Sequence, residues 1–231
     1  MLLLALDLGF VVVDTSSAAG ANGLVAMAGY PEEKSNRGAL TRFGDGVCDR
    51  EGRFLAGTSV RKMEHRDKKK GSLYRLDGDL TITAVQLGGF SVFDGACFSP
   101  DGRTMYFTDG GPAMLQAAYS AEGEIEDIRP FFDFGASALP CSTSSGATVD
   151  RAGNVWVVLP EAHAVVCISS SGGLLRHVHV PCNRPSALAF GGPGLDVLFL
   201  TSVSDVGEGP PLPGKNDGWL FAIVSWVFHS A

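Results

Sequence analysis

The sequence predicts an all-β protein of the β-propeller type, and three observations lead to that fold class. A strand–turn–strand unit recurs along the chain, turn-forming residues are frequent, and no long stretch keeps a helical periodicity. The 30 Gly and 12 Pro residues suit many short turns, because Gly adopts positive φ and Pro presets a turn φ. The 231 residues are expected to form a single domain over 1–231, with about five blades' worth of chain.

The repeated unit is a small polar residue, a Gly or Ala, an apolar strand, a tight turn and a second apolar strand. Its four copies start at Asp45, Asp94, Ser145 and Ser186, about 40–50 residues apart, which is the period of a propeller blade. The first three turns end in Gly52, Gly102 and Gly153, where a hairpin favours a left-handed residue. Further strands are predicted over 71–78, 113–120 and 164–172.

Net charge and cysteine content exclude several kinds of partner and site. The net charge of −7 argues against a nucleic-acid partner, which would require clustered positive charge. The five cysteines are odd in number and form no Cys-x-x-Cys pair, so neither a zinc site nor a disulfide framework is indicated. Buried thiols in a reducing, cytoplasmic compartment are expected.

Both ends of the chain are apolar. Residues 1–14 are interrupted by Asp7 and have no Lys or Arg before the apolar run, which favours one or two buried strands, with a signal peptide as the alternative. Residues 219–231 suit a closing strand or an aberrant end. No segment is long enough to predict a membrane span.

Several motifs agree with one family. The segments NRGALTRFGDGVCDREGRFLAGTS (36–59), GSLYRLDGD, FDGACFSPDGRTMYFTD, GATVDRAGNVWVV and PSALAFGGPGLDVLFLTS occur in order between residues 23 and 205. Together they resemble the SMP-30/gluconolactonase/luciferin-regenerating-enzyme-like family, the regucalcin-like lactonases. The resemblance implies a six-bladed propeller, of which this chain would lack the first blade.

The resemblance also implies a site. Family members bind one divalent cation, often calcium, at the end of the central channel, and hydrolyse sugar lactones or related esters; zinc or manganese are alternatives to calcium. Arg42 matches a substrate-contacting Arg, and Asp45 matches an Asp at the channel mouth. Asp94 occupies the position of a metal-ligating Asn, and a carboxylate also suits calcium. A surface Arg and two turn Asp residues remain the alternatives.

Ser145 is the main departure from the family pattern. The family has an Asp there that ligates the cation and acts as general base, whereas an unactivated serine is a weak ligand and no base. Gly44 replaces an Asn, and the first-blade Glu is missing unless a permuted ring uses Glu208. The basic segment 59–70, with Lys62 or Glu64 nearest to a family Glu, is predicted to be a solvated loop. If it folds over the channel, it could attract an anionic sugar acid or phosphate.

The sequence therefore leaves three functions open. A metal-dependent hydrolase of sugar lactones or related esters with a degraded site is favoured by the family resemblance. A catalytically inactive propeller that binds a small molecule or partner is favoured by Ser145 and Gly44. A truncated gene product is the third. The expected partner is a small-molecule lactone or ester, with no nucleic acid and no membrane.

Overall fold

The computed structural model of the chain describes residues 2–7, 9–13, 24–29, 31, 40–61, 63–137, 139, 143–204 and 218–224. Within these residues lie 18 strands, arranged in five sheets, and a 3₁₀ helix over Met63–Lys68. The first sheet contains β1 (Leu2–Leu6), β2 (Gly9–Val13) and β3 (Leu24–Gly29), and the second contains β4 (Thr41–Cys48), β5 (Phe54–Val60), β6 (Gly71–Leu76) and β7 (Ile82–Phe90).

The remaining three sheets follow in chain order. The third contains β8 (Asp94–Phe98), β9 (Thr104–Thr108), β10 (Ala113–Tyr119) and β11 (Ile125–Asp133). The fourth contains β12 (Ala147–Val149), β13 (Val155–Leu159), β14 (Ala164–Ile168) and β15 (Leu174–His179). The fifth contains β16 (Pro185–Gly191), β17 (Val197–Ser202) and β18 (Leu220–Val224).

Each sheet is a meander, because strands that are consecutive in the chain are also neighbours in the sheet. The predicted units correspond to the hairpins β4–β5, β8–β9, β12–β13 and β16–β17. Gly52, Gly102 and Gly153 have φ of +79°, +72° and +88°, as the three tight turns require. The all-β prediction, the repeat and the three further strands are confirmed.

The chain divides into two compact units. Unit 1 comprises Met1–Asp94 and Tyr119–Glu126, and unit 2 comprises Gly95–Ala118 and Asp127–Ala231. The core of unit 1 joins the first two sheets, with the rings of Phe10 and Phe43 4.9 Å apart and Tyr74 packed against them. The apolar start of the chain thus forms strands as expected, but only β2 is well buried, and Leu6 of β1 is 49% exposed.

The core of unit 2 lies on both faces of the fourth sheet. Along β13, Val155 and Val157 pack with Met114 from β10, while the alternate residues Trp156 and Val158 belong to a second cluster. That second cluster includes Leu198 and Leu200 of β17. The side-chain period of two along a strand therefore lets one sheet bury against two neighbours, as in stacked repeat units.

A polar cluster in unit 1, here called the Asp49 clasp, consists of Asp49, Arg53 and Tyr119. Oδ1 of Asp49 accepts hydrogen bonds from the backbone N–H groups of Glu51 and Arg53, at 3.0 and 2.9 Å. Oδ2 accepts from Arg53 Nε at 2.6 Å and from the Tyr119 hydroxyl at 2.7 Å. Since Tyr119 ends β10, the clasp ties the β4–β5 turn to a strand 70 residues further on.

Three features differ from the expectations. The outer strands β7, β11 and β15 have largely exposed or half-buried residues and no apolar alternation that predicts them. Part of the basic segment 59–70 forms the 3₁₀ helix, and Lys62 lies outside the described residues. The cysteines in the described part are all thiols; three are buried and Cys48 is exposed, whereas Cys141, like Glu208, falls outside that part. In the described part of the chain, no helix has the length and apolarity of a membrane span.

Candidate functional site

The start of β4 presents Arg42 to solvent between two buried neighbours, Thr41 and Phe43. Arg61 holds this end of the strand, because its Nε donates to the Thr41 carbonyl at 2.8 Å. The other end of the Arg61 guanidinium forms an ion pair with Asp7 at 2.7 Å. Asp7, which interrupts the apolar N-terminal run, thus helps to position the strand that carries Arg42.

Gly44 and Asp45 lie in a β-bulge of β4. The pairing of β4 with β5 is regular up to Phe43, resumes at Gly46 and shifts register in between. A bulge bends the strand and changes the direction of its side chains, and bulges are common next to active sites. Asp45 is half-buried at this point. No pattern of residue types in β4 predicts the bulge.

The bulge lies beside the segment that leads into β8. A Cβ placed on Gly44 would be 3.0 Å from Ser59 Oγ and 3.4 Å from the Phe93 carbonyl oxygen. Ser59 Oγ also donates to that carbonyl at 3.5 Å, and the buried ring of Phe93 packs on Phe90 with centroids 5.3 Å apart. Residue 44 therefore contacts the residue that precedes Asp94. Arg42, Asp45 and Asp94 all belong to unit 1, and the structure brings the strand of the first two next to the start of the third.

Ser145 belongs to unit 2, where it precedes β12. Its Oγ donates to the Ser186 carbonyl at 3.0 Å, and its backbone N–H donates to the Val158 carbonyl at 3.1 Å. The hydroxyl proton is therefore directed to a carbonyl oxygen, which has no basic character. A serine nucleophile requires a neighbouring base, and the Ser186 backbone carbonyl is not one.

Glycines bring the starts of three inner strands of unit 2 close together. A Cβ on Gly95, whose φ is +62°, would lie 2.6 Å from the Ser145 carbonyl oxygen. A Cβ on Gly146 would lie 2.6 Å from Ala187 Cα. The Gly or Ala that follows each small polar residue in the repeat thus allows β8, β12 and β16 to start side by side.

Two further groups were not predicted as part of this site. The Ser186 carbonyl accepts both the Ser145 hydroxyl and the Gly146 N–H, at 3.0 Å each. Ser144 is 5% exposed, and its Oγ has no hydrogen-bond partner within the described residues. Backbone acceptors carry no residue-type signal, so only the position of Ser186 in the repeat pointed to its neighbourhood.

The oxygen donors of these residues fall short of what calcium requires. Calcium takes six to eight oxygen ligands, usually with several carboxylates. Across the described ranges, no group of three or more His, Cys, Asp or Glu side chains is placed to hold a metal ion. Asp94 offers one carboxylate, and the Ser145 hydroxyl donates its proton elsewhere. These residues do not fit a complete calcium site.

Comparisons with known proteins identify the relatives of the chain. The family model described as "SMP-30/Gluconolactonase/LRE-like region" matches residues 1–204, so the match begins earlier than the expected residue 23. The chain is 32% identical over 188 residues to a pentonolactonase of Haloferax volcanii, covering 79% of this chain and 62% of the relative. It is 33% identical over 163 residues to an L-arabinolactonase of Azospirillum brasilense, covering 70% and 52% respectively.

Solved structures agree on the fold. A luciferin-regenerating enzyme superposes with a TM-score of 0.77 at 25% identity, covering 90% of this chain and 69% of that one. The calcium-binding protein regucalcin from Agrobacterium tumefaciens superposes with a TM-score of 0.79 at 23% identity, covering 96% and 72%. The propeller-type fold class is thereby confirmed. With the family model matching most of its residues, this chain belongs to the SMP-30/gluconolactonase/LRE-like family.

Proposed function

We propose that the chain binds a sugar lactone or a related ester beside β4 and hydrolyses it slowly. The observation that carries this is the bulge in β4. The bulge contains Asp45 and follows the exposed Arg42 on the same strand, and its Gly44 lies next to Phe93, the residue before β8. Membership of a family with lactonase relatives supports the substrate class. Because the chain spans 62% and 52% of those two relatives, their activities enter here only as a proposal.

The side chains of unit 1 suit a polyhydroxylated ligand. The Arg42 guanidinium offers several donors in a fixed fork, which can bind the carbonyl or ring oxygens of a lactone. The Asp45 carboxylate is an acceptor for sugar hydroxyl groups. A half-buried position strengthens such hydrogen bonds relative to bulk water.

Hydrolysis needs a base that this site supplies poorly. Water adds to the lactone carbonyl carbon, the ring C–O bond breaks, and a proton passes from the water to the departing oxygen, which gives the open hydroxy acid. A positioned base contributes about 10²–10⁴-fold to such a step. Where the family resemblance implies the base, this chain has Ser145, whose hydroxyl donates to the Ser186 carbonyl, so the proposed rate is low.

Cation binding is proposed to be weak. Asp94 is the carboxylate that would contact a divalent cation, calcium first, with zinc or manganese as alternatives. The missing carboxylate at residue 145 lowers the expected affinity, because calcium affinity depends on the number of charged ligands. No catalytic step is assigned to the cation.

A second candidate function is ligand binding without turnover. The hydrogen bond from the Ser145 hydroxyl to the Ser186 carbonyl favours it, because a hydroxyl held in this way supplies no base for hydrolysis. Both hydrolysis and binding without turnover use the contact between Arg42 and the lactone. They differ only in whether the open hydroxy acid accumulates.

Replacing Arg42 with glutamine is expected to weaken binding of L-arabinono-γ-lactone about tenfold or more. The reason is the loss of a charge-assisted hydrogen bond, worth about 1.5–3 kcal/mol. Isothermal titration calorimetry measures the dissociation constant. The control is Arg103→Gln, which removes an exposed guanidinium from the β8–β9 turn and should leave affinity unchanged. Equal affinity in wild type and Arg42→Gln would reject this contact.

A further inference from the structure

Unit 2 contains a cavity that the proposed lactone site does not use. It has a volume of about 250 Å³ and lies between the β12–β13 turn and the β16–β17 turn. Ser145 and the Ser186 carbonyl lie at the opposite end of β12, because Ser145 pairs with Val158 while the β12–β13 turn follows Val149. The cavity is therefore separate from Ser145 and the Ser186 carbonyl, and the β4 residues of the proposed lactone site belong to unit 1.

An aromatic side chain, Phe190, forms part of the cavity lining. Its ring packs edge to face with Trp156 at a centroid distance of 6.3 Å. Trp156 is fixed in turn by its indole N–H, which donates to Asp150 Oδ2 at 3.0 Å. Asp150 lines the cavity but its carboxylate is occupied, since Oδ1 also accepts the N–H groups of Ala152 and Asn154 at 2.9 Å each.

One wall is an exposed leucine in an unfavourable backbone conformation. Leu195 is 60% exposed and has a φ of +53°, where a side chain is strained and Asn or Gly is usual. Its N–H closes the turn on the Gly192 carbonyl at 3.1 Å. Asn or Gly would form the same turn with less backbone strain. The side chain of Leu195 therefore adds an apolar surface that the turn itself does not need.

The rim carries one charge of each sign. Arg151 and Asp196 both line the cavity and are exposed. Neither side chain forms an ion pair with another residue in the part of the chain that the structure describes. An unpaired guanidinium is suited to a carboxylate, and an unpaired carboxylate to an ammonium group.

We propose that this cavity binds a free α-amino acid with an apolar side chain. The carboxylate would contact Arg151, the ammonium group would contact Asp196, and the side chain would lie between Phe190 and Leu195. The volume is below the range of about 300–1,000 Å³ typical of pockets for drug-sized ligands, so a small ligand fits best. This inference does not depend on lactone binding or on hydrolysis.

The test uses L-leucine, N-acetyl-L-leucine and L-leucine amide with the wild-type chain, by saturation-transfer NMR and calorimetry. Leucine is expected to bind, and each blocked analogue, which lacks one of the two charges, to bind about tenfold or more weakly. Equal binding of all three compounds would overturn the zwitterion assignment, and absence of leucine binding would overturn the site.

Substitutions test which side chains of the cavity contact leucine. Leu195→Asn keeps a residue that tolerates positive φ, so the fold should survive while leucine affinity falls at least about tenfold. Arg151→Gln should reduce affinity for leucine to about that of the amide. Arg50→Gln alters the corresponding turn of the β4–β5 hairpin and should change nothing. A loss of affinity in Arg50→Gln equal to that in Arg151→Gln would overturn the proposal, as would unchanged affinity in Leu195→Asn.

Discussion

Replacing Asp49 with alanine is expected to lower the free energy of unfolding by about 3 kcal/mol. The side chain of Asp49 is 2% exposed and that of its partner Arg53 is 16% exposed. The substitution removes the acceptor of four hydrogen bonds and leaves the Tyr119 hydroxyl and the Arg53 guanidinium without their anionic partner. Breaking one side of a buried pair is strongly destabilising because the other side stays desolvated.

Urea unfolding followed by circular dichroism measures this change. The matched control is Ser99→Ala, which alters the residue at the same place in the β8–β9 turn. Ser99 Oγ accepts one backbone N–H, from Thr104 at 3.0 Å, and donates to the exposed Asp101 Oδ1 at 2.6 Å. Because water can replace these bonds at an exposed turn, their loss should cost only about 1 kcal/mol. Equal effects of the two substitutions would show that the clasp contributes no more than an ordinary turn hydrogen bond.

The Asp49 clasp also predicts how stability depends on pH. Burial opposes ionisation of Asp49, but hydrogen bonds from Tyr119 and Arg53 outweigh it and lower the pKa of the carboxyl group. Burial, followed by the hydrogen bond to Asp49, raises the pKa of Tyr119. The Asp49 contribution is therefore present above the unfolded pKa of about 4 and is lost as pH falls through the lower folded value. The Tyr119 contribution is present below about pH 10 and is lost as pH rises towards the folded value.

Replacing Ser145 with aspartate is expected to raise the rate of lactone hydrolysis about a hundredfold, within the range for general base catalysis. The aspartate would supply the carboxylate that the family resemblance implies at this position, and we propose that it would also add an anionic oxygen ligand for calcium. Initial rates are measured by pH-stat with L-arabinono-γ-lactone and D-glucono-δ-lactone, and calcium affinity by calorimetry. Circular dichroism checks the fold, because the Ser145 bond to Ser186 is lost.

Two controls separate the roles of the new carboxylate. Ser145→Asn adds an amide oxygen ligand but no base, so the rate should stay at the wild-type value. Ser186→Asp places a carboxylate at the same position of the next repeat and should also give no gain. If Ser145→Asp folds and is no faster than wild type, the assignment of residue 145 to the catalytic position is wrong.

Much of the fold could be predicted because the inner strands carry the signal. Residues such as Val155 to Leu159 are buried on both sheet faces, so they form a continuous apolar run bounded by turn residues. The outer strand β11 lies at a sheet edge with most of its residues exposed, and its sequence therefore lacks the alternation that marks a half-buried strand.

The candidate site could be predicted in its residues but not in its geometry. The repeat placed Asp45, Asp94 and Ser145 at strand starts, since small polar residues followed by Gly are visible in the sequence. The β4 bulge and the bond from Ser145 to the Ser186 carbonyl depend on backbone register and backbone acceptors, which residue types do not reveal. Likewise, the cavity at Leu195 arises from two turns about 40 residues apart in the chain.

The rate of L-arabinono-γ-lactone ring opening by the wild-type chain is the most direct test of the central proposal. Proton release would be followed by pH-stat with and without calcium, against the uncatalysed rate and against Arg42→Gln. The proposal predicts a slow, saturable rate above the uncatalysed one that falls in Arg42→Gln. A rate equal to the uncatalysed one, with calorimetric binding retained, would contradict hydrolysis and leave a lactone-binding protein.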